Sequence, residues 1–170
     1  MSARLRRSVT ALTMLTAAVS LAVAAAPASA APASAVPSAS TPTVSVTANG
    51  VNCTNAVQIG TKKVVWDRGM EAFSVRQYKG YCRDAKGSAW MNFASVYVWQ
   101  QYHVRGFAYR AYAGIAVRGE LETRGFKVGA NRQRLTYSTP VRTINDCTRG
   151  WGKLYRLGDE SRQGLTSERC

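Results

Sequence analysis

The sequence predicts an all-β fold, a disulfide-stapled antiparallel sandwich or small barrel. Three observations carry this. From residue 44 onward, apolar and polar residues alternate over short spans, the period of a strand with one buried face. Val, Ile and aromatic residues fill these spans and glycines cut them, as strands joined by tight turns require. Cys53, Cys82, Cys147 and Cys170 form an even set without a C-x-x-C pair, which fits two disulfides better than a zinc site. The competing reading is α+β with a helix over 88–102, where Trp90, Phe93 and Tyr97 share a face at helical spacing.

The chain begins as an address. Arg4, Arg6 and Arg7 form a basic start, Val9 to Ala26 is an uncharged apolar run, and Ala28-Ser29-Ala30 fits a signal-peptidase site. Residues 1–30 therefore read as a secretory signal peptide, and the expected location is secreted, extracellular. Residues 31–43, "APASAVPSASTPT", contain only Ala, Pro, Ser, Thr and one Val and read as a flexible spacer. Residues 44–170 are expected to form a single disulfide-bonded globular domain with no transmembrane segment.

Along that domain, "VSVTANGVN" places an Asn49-Gly50 turn signal between two extended pieces. Val64 to Trp66 and Phe73 to Tyr78 read as strands, and Lys86-Gly87 as a turn. Ala89 to Val104 is rich in Val and aromatics and reads as one long strand, with Arg105-Gly106 as a turn or bulge. Phe107, Tyr109, Ala111, Ala113, Ile115 and Val117 then share one face, and Arg110, Tyr112 and Arg118 the other. Gly119, Gly125 and Gly129 bound further short strands, and Leu135 and Tyr137 belong to one more. Pairing Cys53 with Cys82 and Cys147 with Cys170 closes two local loops and is the favoured connectivity of the three allowed.

The formal charge is +14. Without the three leader arginines, 20 basic residues face 9 acidic ones, a net +11. Residues 85–145 hold nine basic residues and only Glu120 and Glu122 as acids. Such a balance attracts polyanions. The candidate ligand-binding residues are Trp99, His103, Arg105, Arg110, Tyr112 and Trp151, because aromatic faces and cations together stack on and clamp an anionic ligand. The catalytic candidates are His103, the only histidine, with Glu120 or Glu122 as its carboxylate across a hairpin. No nucleophile elbow, H-E-x-x-H or phosphate-binding glycine loop occurs, and no metal or cofactor is expected.

The Ala-rich leader, the "APASAVPSASTPT" spacer, "YCRDAKGSAWMNF" and "NDCTRGW" together resemble the small secreted proteins of high-GC actinobacteria. The resemblance is one of style across most of the domain. It implies a bacterial source, secretion and disulfides, and carries no catalytic residues with it.

The leading expectation is a non-enzymatic β domain that binds an anionic polymer (cell-wall polymer, glycan or nucleic acid) through a basic aromatic face. The alternatives are a secreted hydrolase, ribonuclease-like or acting on glycans, and a module binding another secreted protein, such as a protease inhibitor.

Overall fold

The computed structural model describes residues 44–48 and 50–170. The expected signal peptide, the spacer and Asn49 lie outside the described residues. The elements are β1 (Val44–Ala48), β2 (Val51–Asp67), β3 (Met70–Asp84), β4 (Gly87–Val98), one helical turn α1 (Gln100–His103), β5 (Tyr109–Val117), β6 (Thr123–Val128), β7 (Leu135–Tyr137), β8 (Thr148–Arg156) and β9 (Arg162–Leu165). Two antiparallel sheets result. Sheet I has the order β1-β2-β3-β4-β7 and sheet II the order β6-β5-β8-β9. The fold is all-β, as the alternation requires. Among the described residues no helix is long and apolar enough to cross a membrane.

Turn chemistry sets the first hairpins. Arg68 and Gly69 both have positive φ, 50° and 75°, which matches the strand twist in the two-residue turn joining β2 to β3. At the β3–β4 turn, the Lys86 amide donates to the Asp84 carboxylate at 2.8 Å, and Gly87 takes a φ of 101°. Asp84 also accepts from Arg142 at 2.8 Å, and that bond holds its carboxyl below the usual carboxylate range.

Sheet I is nearly closed on itself. Register shifts in β2, between Thr54 and Val57 and between Ile59 and Lys63, bend this 17-residue strand, because bulges sharpen local twist. Its concave side holds the Cys53–Cys82 disulfide among Val46, Ala48, Ala56, Met91 and Phe93. Cys53 and Cys82 are direct register partners, and Tyr78 stacks on Phe93 at 5.2 Å. The second disulfide joins Cys147 to Cys170. Both follow the favoured connectivity.

The other side of sheet I packs on sheet II through Phe73, Val75, Val96 and Val98. The facing side of sheet II carries Tyr109, Ile115 and Leu154 around a patch of small residues. Ala111, Ala113, Gly150, Gly152 and Gly164 are all buried. A Cβ on Gly152 would lie 2.5 Å from Val96 Cγ2 and 2.6 Å from Val75 Cγ2. The valine methyls therefore occupy the room a side chain would take. Gly152→Ala is expected to cost about 1–3 kcal/mol through overpacking, read as a lower urea midpoint with unchanged slope. A variant within about 0.5 kcal/mol of the parent would show that the sheets separate freely.

Two expectations need correction. The helix over 88–102 is replaced by β4, whose even-numbered residues from Asn92 to Val98 are buried in strand register with β3. The strand expected to reach Val104 stops at Val98. There the Trp99 carbonyl accepts the Tyr102 and His103 amides at 3.1 and 3.0 Å, so the chain coils into α1.

Candidate ligand-binding face

The outward side of sheet II gathers rings and cations. Strand register pairs Arg110 with Tyr155, Tyr112 with Lys153, Gly114 with Trp151 and Ala116 with Arg149. Directly opposed residues share a face. Phe126 comes from β6 on the far side of β5. Its ring lies 5.7 Å from Tyr112 and 6.0 Å from Trp151. That reach crosses β5 at Gly114, where no side chain stands in the way. Thr123 closes over the same glycine, 3.2 Å from where a Cβ would be.

The result is a continuous ribbon, Tyr112–Phe126–Trp151, with Phe126 49 % exposed. A cavity of about 420 Å³ lies at one end, lined by Arg110, Tyr112, Tyr155, Asn131 and Leu157 among others. A second, of about 420 Å³, lies at the other end, lined by Leu121, Glu122, Thr123, Phe126 and Trp151. Among the described residues neither Arg110 nor Lys153 pairs with a carboxylate. Arg149 is committed to Glu168 at 3.1 Å, and Arg118 reaches the same carboxylate.

The candidate residues thus divide. Arg110, Tyr112 and Trp151 lie together on this face. Trp99, His103 and Arg105 belong to the region of α1. Trp99 packs edge-on to Tyr97 at 5.4 Å, with the Lys62 ammonium 5.8 Å from its ring. Arg105 is exposed in the turn that follows α1. His103 Nδ1 meets the Tyr109 hydroxyl at 2.7 Å, and that hydroxyl donates to the Arg132 carbonyl at 3.1 Å. Since the phenol proton goes to the carbonyl, the imidazole must donate from Nδ1. Arg132 closes the ring by donating to the His103 carbonyl at 3.0 Å. Burial raises the Tyr109 hydroxyl above the ordinary phenol range. The group is a clamp between α1 and the 130–133 turn.

Glu120 and Glu122 sit in the β5–β6 connection, beyond the end of the strand. The nine residues of β5 separate them from the His103 end by roughly 25 Å at the ordinary strand rise. The structure therefore does not bring His103 and either glutamate together. Glu120 is held by the Arg124 guanidinium, with the Nε bond at 2.8 Å. The Cys53–Cys82 disulfide lies inside sheet I, within a buried cluster.

Sequence reading missed Phe126 and Tyr155. A signal for Tyr155 exists in "RGWGKLYR", where Arg149, Trp151, Lys153 and Tyr155 alternate with small or apolar residues. It also missed the densest charged group, around Asp67, which is 6 % exposed. Asp67 Oδ2 accepts the Tyr102 hydroxyl at 2.7 Å and faces Arg156 at 3.3 Å, while Oδ1 accepts from Arg162 at 3.3 Å. Burial first, and the bond to Asp67 second, push the Tyr102 hydroxyl well above the ordinary phenol range. Both carboxylate oxygens are engaged, so the cluster is an internal tie rather than an open site.

No protein-family profile, curated protein or solved structure matches the chain.

Proposed function

We propose that this is an exported binding domain for an acidic glycan, which lies along the outward face of sheet II. The observation that carries the reading is the Tyr112–Phe126–Trp151 ribbon, with Phe126 exposed and Tyr112 and Trp151 partly buried, flanked by two cations without carboxylate partners among the described residues, Arg110 and Lys153. Ring faces take up the apolar faces of sugars, and the two cations meet acid groups along the chain. Glu122, beside Trp151 in its cavity, accepts hydroxyl protons from uncharged sugar units, which a glycan with spaced acid groups offers and a backbone with a phosphate at every nucleotide does not. The same cavity holds one carboxylate among the described residues, where the common glycosidase mechanisms use two. Binding is therefore favoured over hydrolysis.

Trp151→Ala is expected to weaken binding to an acidic polysaccharide ten- to a hundredfold, about 1.4–2.7 kcal/mol. Calorimetric titration measures this, with circular dichroism confirming the fold. Affinity should also fall as salt rises, since Arg110 and Lys153 are screened. Equal affinity of the variant and the parent, or no binding at low salt by either, would refute the assignment.

A further inference from the structure

A second patch repeats the chemistry of the first. Beyond the part of sheet I that sheet II covers, β3 and β4 continue with Lys79 opposite Asn92 and Tyr81 opposite Trp90. The Tyr81 and Trp90 rings meet edge-on at 5.8 Å, and each residue is 43 % exposed. The Lys79 ammonium lies 5.4 Å from the Trp90 ring and pairs with no carboxylate among the described residues. The ring pair braces β3 against β4, yet both rings and the cation stay open to solvent as one group, whereas isolated exposed apolar residues call for no explanation.

The patch has a built surround. A cavity of about 450 Å³ includes Lys79, Asn92, Asp146 and Thr148 in its lining. A second, of about 310 Å³, includes Trp90, Arg142 and Asp146. The Asn92 amide donates to the Thr143 carbonyl and hydroxyl, both at 3.1 Å. Because a carbonyl only accepts, this fixes the amide orientation. Asp146, which faces the Arg124 guanidinium through Oδ2 at 3.8 Å, offers its remaining lone pairs to hydroxyl protons, as Glu122 does on the first face. Rings, a cation without a carboxylate partner and a carboxylate thus recur together. Sheet II separates the two patches: Trp151 points outward from β8, whereas Gly150 and Gly152 beside it meet Gln77 and Val75 of β3.

We infer that the domain is bivalent, with a second acidic-glycan site at Tyr81, Trp90 and Lys79, and that it cross-links chains of its ligand. This rests on the reading of the first face given above. The thickness between packed sheets, about 10 Å, keeps one sugar ring from touching both sites.

The test uses the whole exported protein, a short uronic-acid-containing oligosaccharide and the long polymer of the same repeat. Calorimetry is expected to give two oligosaccharides per protein for the parent and one each for Trp90→Ala and Trp151→Ala. Light scattering should show the parent clouding the long polymer and each variant binding it without clouding. Lys79→Glu, which leaves the rings in place, should also reduce two sites to one and covers the case in which Trp90→Ala folds poorly. A stoichiometry of one for the parent, unchanged by Trp90→Ala and Lys79→Glu but lost in Trp151→Ala, overturns bivalency and leaves the first face standing. One site lost in Trp90→Ala and kept in Trp151→Ala overturns the first face instead. No binding by the parent overturns both.

Discussion

Replacing Asp67 by asparagine is expected to cost about 3–5 kcal/mol of stability, the range for removing one partner of a buried ion pair. The amide keeps the size of the side chain and one acceptor. Its NH₂ group, however, then faces a guanidinium. Arg156, 7 % exposed, is left with Asp159 as its remaining carboxylate. Asp159 is already shared with Arg68 at 2.7 Å, and that bond holds its carboxyl below the usual range. A urea titration measures the loss as a lower midpoint. A change under about 1 kcal/mol would mean that the tie contributes little beyond its neighbours.

Tyr102→Phe should cost less, about 1.5–3 kcal/mol for one bond to a charged acceptor. The double variant should lose less than the sum, because the residues touch. The tie also sets an alkaline limit. The Tyr102 hydroxyl has a raised pKa in the fold, so its contribution is complete below the ordinary phenol value and is lost as pH rises through the folded value. Stability should thus decline above about pH 10. Tyr109 and Tyr137 shift the same way through burial, so Tyr102→Phe flattens the decline only in part.

The second large loss is expected on removing the Cys53–Cys82 bridge as the pair Cys53→Ala and Cys82→Ala. Chain entropy alone, for a sequence separation of 29, gives about 3–4 kcal/mol. Both residues are at most 1 % exposed, so lost packing adds to this. The melting temperature should fall by roughly 10–20 °C for a domain of this size, as read by calorimetry. Removing Cys147–Cys170 should cost less, because Cys170 is exposed and its surroundings relax. The order of the two melting temperatures decides the matter: a bridge-free 53–82 variant melting above its 147–170 counterpart would overturn the packing argument.

Much of the fold was legible because strict alternation leaves little choice. In β5 the residues Tyr109, Ala111, Ala113, Ile115 and Val117 all turn inward, as period two demands. The end of β4 was not legible. Val and aromatic residues continue past Val98, and composition does not distinguish a strand from a single helical turn. What decides the turn is tertiary: the Tyr102 hydroxyl is drawn to Asp67, 35 residues away. His103 lies in that helical turn and Arg105 just after it, outside the expected strand. Part of the proposed face shares this legibility: period two sets Arg110 and Tyr112 of β5 on the outward side of sheet II, opposite Tyr155 and Lys153. Phe126 was not legible, since it meets Trp151 only across Gly114, and that neighbourhood exists only once β5, β6 and β8 have found their register.

The alanines and glycines lining the inner side of sheet II have a consequence for how the outer side performs. Ala111, Ala113, Gly150, Gly152 and Gly164 have no side-chain rotamers to freeze on burial. Opposite them stand Val65, Val75 and Val96, already stiff at χ1 because they branch at Cβ. The layer beneath Tyr112 and Trp151 therefore has little rotameric freedom. Rings mounted on such a bed are preorganised, so a ligand of the proposed kind would meet a surface whose backing was ordered during folding.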